Sequence, residues 1–221
     1  MKVLLGISGA SGAAYGVRTA ALLLAQGVDL HVLATKTGWE ILAAEVGGGR
    51  LPAALEARRR WLSRLVSASR PFRLYAEDDF GIPFASGSNS LDAMIVAPCS
   101  MGTIGRIAHG VSSSALTRCA DVVLKERKPL VLVARETPLS VIHLENMLAV
   151  ARAGACVLPA CPGFYHRPET VSSLVDFVAS RALSCIAIDA GAHPRWGTTR
   201  DEDRRAAARR SRAARQGGVR R

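Results

Sequence analysis

Arg135 and Glu136 follow directly on the apolar run Pro129-Leu130-Val131-Leu132-Val133-Ala134. A run of that length and composition reads as a strand buried on both faces, so a cation and a carboxylate arrive together at its C-terminal end. In open α/β sheets that edge is where ligands bind. Taken alone, the pattern equally describes an ordinary surface ion pair at a strand end.

Two further loops have the composition of anion cradles. Gly9-Ala10-Ser11-Gly12 lets the backbone turn tightly and offers free N–H groups and a hydroxyl at a helix start, an arrangement that favours phosphate. It lacks the full G-x-G-x-x-G fingerprint and no Gly-Lys-Ser/Thr follows, so a plain tight turn stays open as a reading. Ser100-Met101-Gly102-Thr103 lies after a second apolar run and offers the same donors, or a simple helix cap. Upstream, residues 85–90 (ASGSNS) form another polar loop. Two cradles suit a ligand with separated polar parts, such as a flavin with a phosphate tail. Arg118 and Lys125 are seven residues apart on one predicted helix and share a face; Arg135, Arg167 and Arg181 add further cations that could hold phosphate through paired hydrogen bonds. Each of these is, singly, also an ordinary solvated charge.

The elements that must position these groups alternate regularly. Strands are predicted at 2–7, 28–34, 72–75, 93–97, 129–134 and 156–158, and helices at 13–26, 38–46, 52–68, 101–109, 113–126, 139–153 and 168–188. The alternation implies a Rossmann-like (flavodoxin-like) doubly wound parallel sheet with helices on both faces. With 221 residues and 49% hydrophobic content the chain is long enough for one well-cored domain. No apolar stretch approaches the roughly 20 residues of a membrane span, and a cytoplasmic protein is expected. Cys99, Cys119, Cys156, Cys161 and Cys185 are odd in number and form no C-x-x-C pair, so reduced thiols are expected rather than a disulfide framework or a zinc site. The net charge of +11 is uneven: the last 21 residues carry eight Arg against Asp201, Glu202 and Asp203. That tail has no aromatic residues between its arginines to stack on bases, so nucleic acid is not the expected partner. The domain is placed at 1–197 and a basic, disordered tail at 198–221.

Read together, the motifs resemble the flavin prenyltransferases of the UbiX/Pad family. The matching pieces are Ser8-Gly9-Ala10-Ser11-Gly12-Ala13, Ala85-Ser86-Gly87-Ser88, residues 97–103 (APCSMGT), residues 120–127 (ADVVLKER), Arg135-Glu136-Thr137-Pro138, residues 142–147 (IHLENM) and Pro162-Gly163-Phe164-Tyr165-His166. The resemblance implies an enzyme that joins a dimethylallyl group from dimethylallyl phosphate to N5 and C6 of reduced FMN, without a metal. Its product, prenylated FMN, would serve a separate UbiD-type decarboxylase. It further implies that Gly9, Ala10, Ser11, Thr35, Ser100, Met101, Gly102, Thr103 and Arg118 hold FMN, and that Lys125, Arg135, Tyr165 and Arg181 hold the prenyl phosphate. Ser11, Glu45 and Glu136 are the implied catalytic groups, and a homo-oligomer, a dodecamer with sites at subunit contacts, is the implied assembly. Thr35 stands where the family commonly has Ser, and Phe80 where some members have Trp. Trp196 matches a C-terminal family aromatic. His143, inside a predicted helix, is read as a structural hydrogen-bonding group. The alternatives are a related FMN-dependent cysteine decarboxylase and a non-catalytic flavin-binding protein.

Overall fold

The computed structural model describes residues 1–89 and 91–191; the basic tail and Trp196 lie outside the described residues. Six strands, β1 (Lys2–Ile7), β2 (Asp29–Ala34), β3 (Arg73–Tyr75), β4 (Ala93–Cys99), β5 (Leu130–Ala134) and β6 (Cys156–Pro159), form one parallel sheet in the order β3-β2-β1-β4-β5-β6. This is the doubly wound arrangement expected from the alternation, with its switch point between β1 and β4. The helices are α1 (Ala13–Ala25), α2 (Lys36–Glu45), α3 (Leu55–Leu65), α4 (Met101–Ala108), α5 (Ala115–Lys125), α6 (Val141–Arg152) and α7 (Val171–Ser184).

Alternate strand residues feed two separate cores. Val3, Leu5 and Ile7 of β1 and Val131 and Val133 of β5 face one way, against Leu23 of α1, Leu42 of α2, Leu62 of α3 and Leu183 of α7. Leu4, Leu130 and Leu132 face the other, against Ile104 of α4, Leu116 and Val123 of α5 and Val150 of α6. Both sets are needed because a strand's side chains alternate in direction, which explains why the central strands read as continuous apolar runs. Gly16 is required where α1 crosses β4: a Cβ there would lie 2.5 Å from the carbonyl oxygen of Ala97.

Several helices start or stop inside their predicted ranges, and their caps say why. The sixth starts at Val141 because the Ser140 hydroxyl accepts from the N–H of His143, while His143 Nδ1 accepts from the N–H of Ser140. His143 therefore has the structural role read from the sequence. The last helix starts at Val171, where Thr170 caps Ser173. Over 85–89 the polar loop is tighter than its composition suggests, with 3₁₀ turns at Pro83–Ala85 and Gly87–Asn89.

Candidate active site

At the switch point, the loops after β1 and β4 are bolted together by a buried hydroxyl. Ser8, fully buried, donates from Oγ to the carbonyl of Pro98 (3.1 Å) and accepts from the N–H of Ser100 (2.8 Å). Its backbone N–H also donates to Pro98. Ser8 was legible only as part of a motif; its hydroxyl has a positioning task that spacing alone does not reveal.

The glycine loop is fixed from a second side. Gly12 caps α1 with φ +106°, a conformation that favours glycine. Its N–H and that of Ala13 both donate to Glu45 Oε2, each at 2.8 Å. Burial, the largest single influence, pushes the Glu45 carboxyl up. Hydrogen bonds from the Ser11 side chain and from the Ala13 and Gly12 N–H groups, with the charge of Arg135, outweigh it and hold Glu45 below the ordinary range. Arg135 Nε donates to the carbonyl of Ser11 (2.9 Å). Thus Ser11, Glu45 and Arg135, read from distant parts of the sequence, meet at one loop. Tyr15 joins them: burial raises its hydroxyl, the neighbouring Cys161 adds to the rise, and Arg135 opposes it. Glu136 lies at the same edge, exposed, with Oε1 accepting from the N–H of Thr137 (3.0 Å).

Beside this loop lies a polar cavity of about 340 Å³ lined by the N-caps of three helices. Thr35 caps α2 and accepts from the N–H of Gly38 (3.0 Å). Ser100 caps α4 and accepts from the N–H of Thr103 (3.3 Å). Ser114 caps α5 through a reciprocal box with Thr117. Three helix N-termini converging on one space bring together their first-turn N–H groups, partly taken by the caps, and the positive ends of three dipoles. Lys36, Arg106 and the hydroxyl of Thr37 add to the lining, as does the carboxylate of Glu77, which accepts from the N–H of Lys36 (2.6 Å); Thr37 connects the cavity to the glycine loop. A Cβ on Gly9 would lie 2.2 Å from Thr37 Oγ1, so the two segments touch. Thr37, Arg106 and Ser114 were absent from the candidates read in the sequence, although the hydroxyl before each helix was a signal that could have found Ser114.

The remaining cations are placed elsewhere. Arg118 donates from Nε to the carbonyl of Ala85 (3.0 Å) and from Nη1 to Asp121 (2.8 Å). Lys125 pairs with Glu126 (2.6 Å), and both lie against Gly87. The 85–89 loop therefore lies along the Arg118 and Lys125 face, as their spacing on one helix implied. Tyr165 packs its ring edge-on to Phe177 of α7. Arg181, exposed in the last turn of α7, acts electrostatically on Cys156 at the start of β6. Since α5 packs on one face of the sheet and α7 on the other, Lys125 and Arg181 of one chain are separated by the sheet and its two helix layers. One chain does not gather them around one phosphate.

The comparisons with known proteins match this architecture. The Flavoprotein family matches residues 1–183. A protein named flavin prenyltransferase UbiX from Pseudomonas aeruginosa is 43% identical over 197 residues, covering 89% of this chain and 94% of that one. The chain belongs to the UbiX flavin prenyltransferase family. Among solved structures, AnUbiX in complex with FMN and dimethylallyl pyrophosphate matches with a TM-score of 0.78 at 35% identity, covering 90% of this chain and 98% of that one. A dodecameric FMN-dependent UbiX-like decarboxylase from Escherichia coli O157:H7 matches with a TM-score of 0.76 at 38% identity, covering 90% and 100%. Among the described residues, no helix of this UbiX family member is long and apolar enough to cross a membrane.

Proposed function

We propose that this protein transfers a dimethylallyl group from dimethylallyl phosphate to N5 and C6 of reduced FMN, releasing phosphate and making prenylated FMN for a separate UbiD-type decarboxylase. The observation that carries the reading is the convergence of the α2, α4 and α5 N-caps on one polar cavity beside the Ser8-to-Gly12 loop. That donor set fits a phosphate monoester: hydroxyls, helix N-termini and two cations against the single carboxylate of Glu77, and an adjoining loop tight enough for a ring system to lie close to the backbone. Thr35, Ser100 and Thr103 would hold the phosphate tail, with Met101 and Gly102 lining the same loop; Gly9, Ala10, Ser11 and Arg118 would hold the rest of FMN. When bound, the reduced flavin supplies the nucleophilic nitrogen and carbon.

The chain's own residues supply charge and proton handling. Arg135, Lys125, Tyr165 and Arg181 would bind the prenyl phosphate and stabilise the negative charge that grows as it leaves. Glu136, exposed at the sheet edge next to Arg135, is free to exchange protons with water and would take the proton lost from the flavin ring. Glu45, held ionised by the loop it accepts from, would keep the Ser11 hydroxyl oriented. No step needs a metal, because a monophosphate held by Arg, Lys and Tyr already has its charge matched.

Because Lys125 and Arg181 lie on opposite faces of one chain's sheet, the complete phosphate grip would form between copies. Val141, Ile142, Leu144 and Leu148 of α6 are 50–70% exposed, an apolar face that supports self-association, for which we infer a dodecamer. The test is anaerobic incubation of the protein with reduced FMN and dimethylallyl phosphate, without metal, followed by mass analysis of the flavin. An added prenyl mass is expected; bound FMN that gains none sinks the reading.

A further inference from the structure

A second cleft, of about 610 Å³, opens at the opposite edge of the sheet, below the starts of β5 and β6. Its lining includes Arg127, Lys128 and Arg152 and the thiols of Cys156 and Cys185, with no acidic side chain. Arg127 and Lys128 follow the end of α5 and Arg152 closes α6, so each also offsets a helix C-terminus. The topology brings the ends of α5 and α6 to the same sheet edge, where β5 and β6 begin, so the three cations share one cleft with two adjoining thiols. Among the described residues none of the three forms an ion pair, and the neighbouring Glu126 is taken by Lys125.

The thiols are a poised pair. Cys156 begins β6, Cys185 caps α7, and the Cys156 thiol donates to Cys185 Sγ at 3.5 Å. Both are partly exposed, whereas Cys99 and Cys119 are buried. We infer that this cleft binds an anionic low-molecular-weight disulfide, of the glutathione disulfide class, and exchanges it into a Cys156–Cys185 bridge. The inference does not depend on the flavin chemistry at the other edge.

The roles of the two sulfurs follow from their surroundings. Burial, and then the hydrogen bond and charge of Cys185, push the Cys156 thiol up to about 11, so it keeps its proton and donates it toward Cys185. Cys185, whose sulfur accepts from Cys156, is then the attacking sulfur and gives up its own proton as it attacks. Its sulfur bonds to one sulfur of the bound disulfide, breaking the S–S bond and releasing one small thiolate. Cys156 then loses its proton and attacks Cys185 Sγ, breaking the mixed disulfide and releasing the second thiolate. The protein's two thiols are oxidised, the small disulfide is reduced to two thiols, and the two thiol protons pass to the leaving groups. The bridge ties β6 to the end of α7, one turn beyond Arg181, and is reversed by the same exchange with excess small thiol.

The experiment treats the full chain with glutathione disulfide or with cystamine, its cationic counterpart, blocks free thiols by alkylation at timed points, and maps the peptides by mass. Expected are a Cys156–Cys185 link in the unmodified sequence, faster linking by glutathione disulfide than by cystamine, and a stable glutathione adduct on Cys185 in Cys156→Ser. Replacing Lys128 and Arg152 by Gln should slow reaction with glutathione disulfide roughly tenfold or more, the lower end of what charge-lined clefts add to association rates, and spare cystamine. Absence of the link in the unmodified sequence overturns the proposal without recourse to any variant. So does modification confined to the exposed Cys161, equal rates with the two disulfides, or a bridge that forms with hydrogen peroxide but not with glutathione disulfide.

Discussion

The switch-point edge and the outlying cations differ in how far one chain completes them. At the switch point the loops are held by distant parts of the same chain: Ser8 by Pro98 and Ser100, the Gly12 turn by Glu45, and Ser11 by Arg135. On α5, Lys125 is paired with its neighbour Glu126, and Arg118 with Asp121 one turn away and with the Ala85 carbonyl; Arg181 stands on α7, on the opposite face of the sheet. A site whose donors come from loops at one sheet edge is built when the chain folds. A site whose cations sit on both outer layers needs a second copy to bring them together. The first region should therefore survive dissociation into single chains, and the second should not.

The largest effect is expected from separating the copies. Replacing Ile142 and Leu144 by Glu puts charge into the exposed apolar face of α6 without touching either core; we predict smaller particles by light scattering and prenyl transfer reduced by roughly 100-fold or more, the scale of losing preorganised charge stabilisation, with FMN still bound. Loss of FMN together with transfer would break the distinction. Next comes Gly16→Val, whose Cβ meets the Ala97 carbonyl: overpacking of this kind costs about 1–3 kcal/mol or more, read as a lowered Tm and weakened FMN binding, because β4 carries the Ser100 loop. Ser8→Ala leaves the Ser100 N–H without its buried acceptor, a loss of about 1–3 kcal/mol; FMN affinity should fall by about tenfold or more at that cost, while particle size is unchanged.

A smaller effect is expected at Glu45. Its carboxyl is held below its ordinary value of 4.5, so its contribution is present above that value and fades as pH falls through the lowered one. Glu45→Gln should lower Tm at neutral pH, by an amount comparable to losing a helix cap, and the gap to the unaltered protein should close as pH drops below about 4.5. A gap independent of pH would remove the charge from the account. The smallest effect is none: removing 201–221 should leave FMN binding and prenyl transfer unchanged.

Much of the fold was legible because the buried strands are long apolar runs separated by capped helices, and a parallel sheet buried on both faces leaves that pattern in any sequence. Arg118 and Lys125 were placed on one face by spacing alone, and the 85–89 loop lies along that face. Glu45 was legible only through the family resemblance, since as a sequence position it is an exposed helix carboxylate; its tie to Gly12 spans 33 residues and depends on how α2 packs beside α1. Ser114 and Thr37 were missed for the same reason, because convergence of three caps on one cavity is a property of strand order. The cations at 118, 125, 135 and 181 looked like one phosphate set in a linear reading, and only the two-sided packing of α5 and α7 separates them.

The most direct test of this division is subunit complementation. A chain altered in the flavin cradle, with Ser100 and Thr103 both replaced by Ala, is co-expressed with a chain in which Arg181 is replaced by Ala. The two carry different tags, and particles holding both are purified. Each variant alone should be inactive in prenyl transfer, and mixed particles should regain activity, because some of their sites combine an intact cradle with an intact Arg181 from a neighbour. Mixed particles as inactive as the separate variants would show that each chain grips its own prenyl phosphate, contradicting the account.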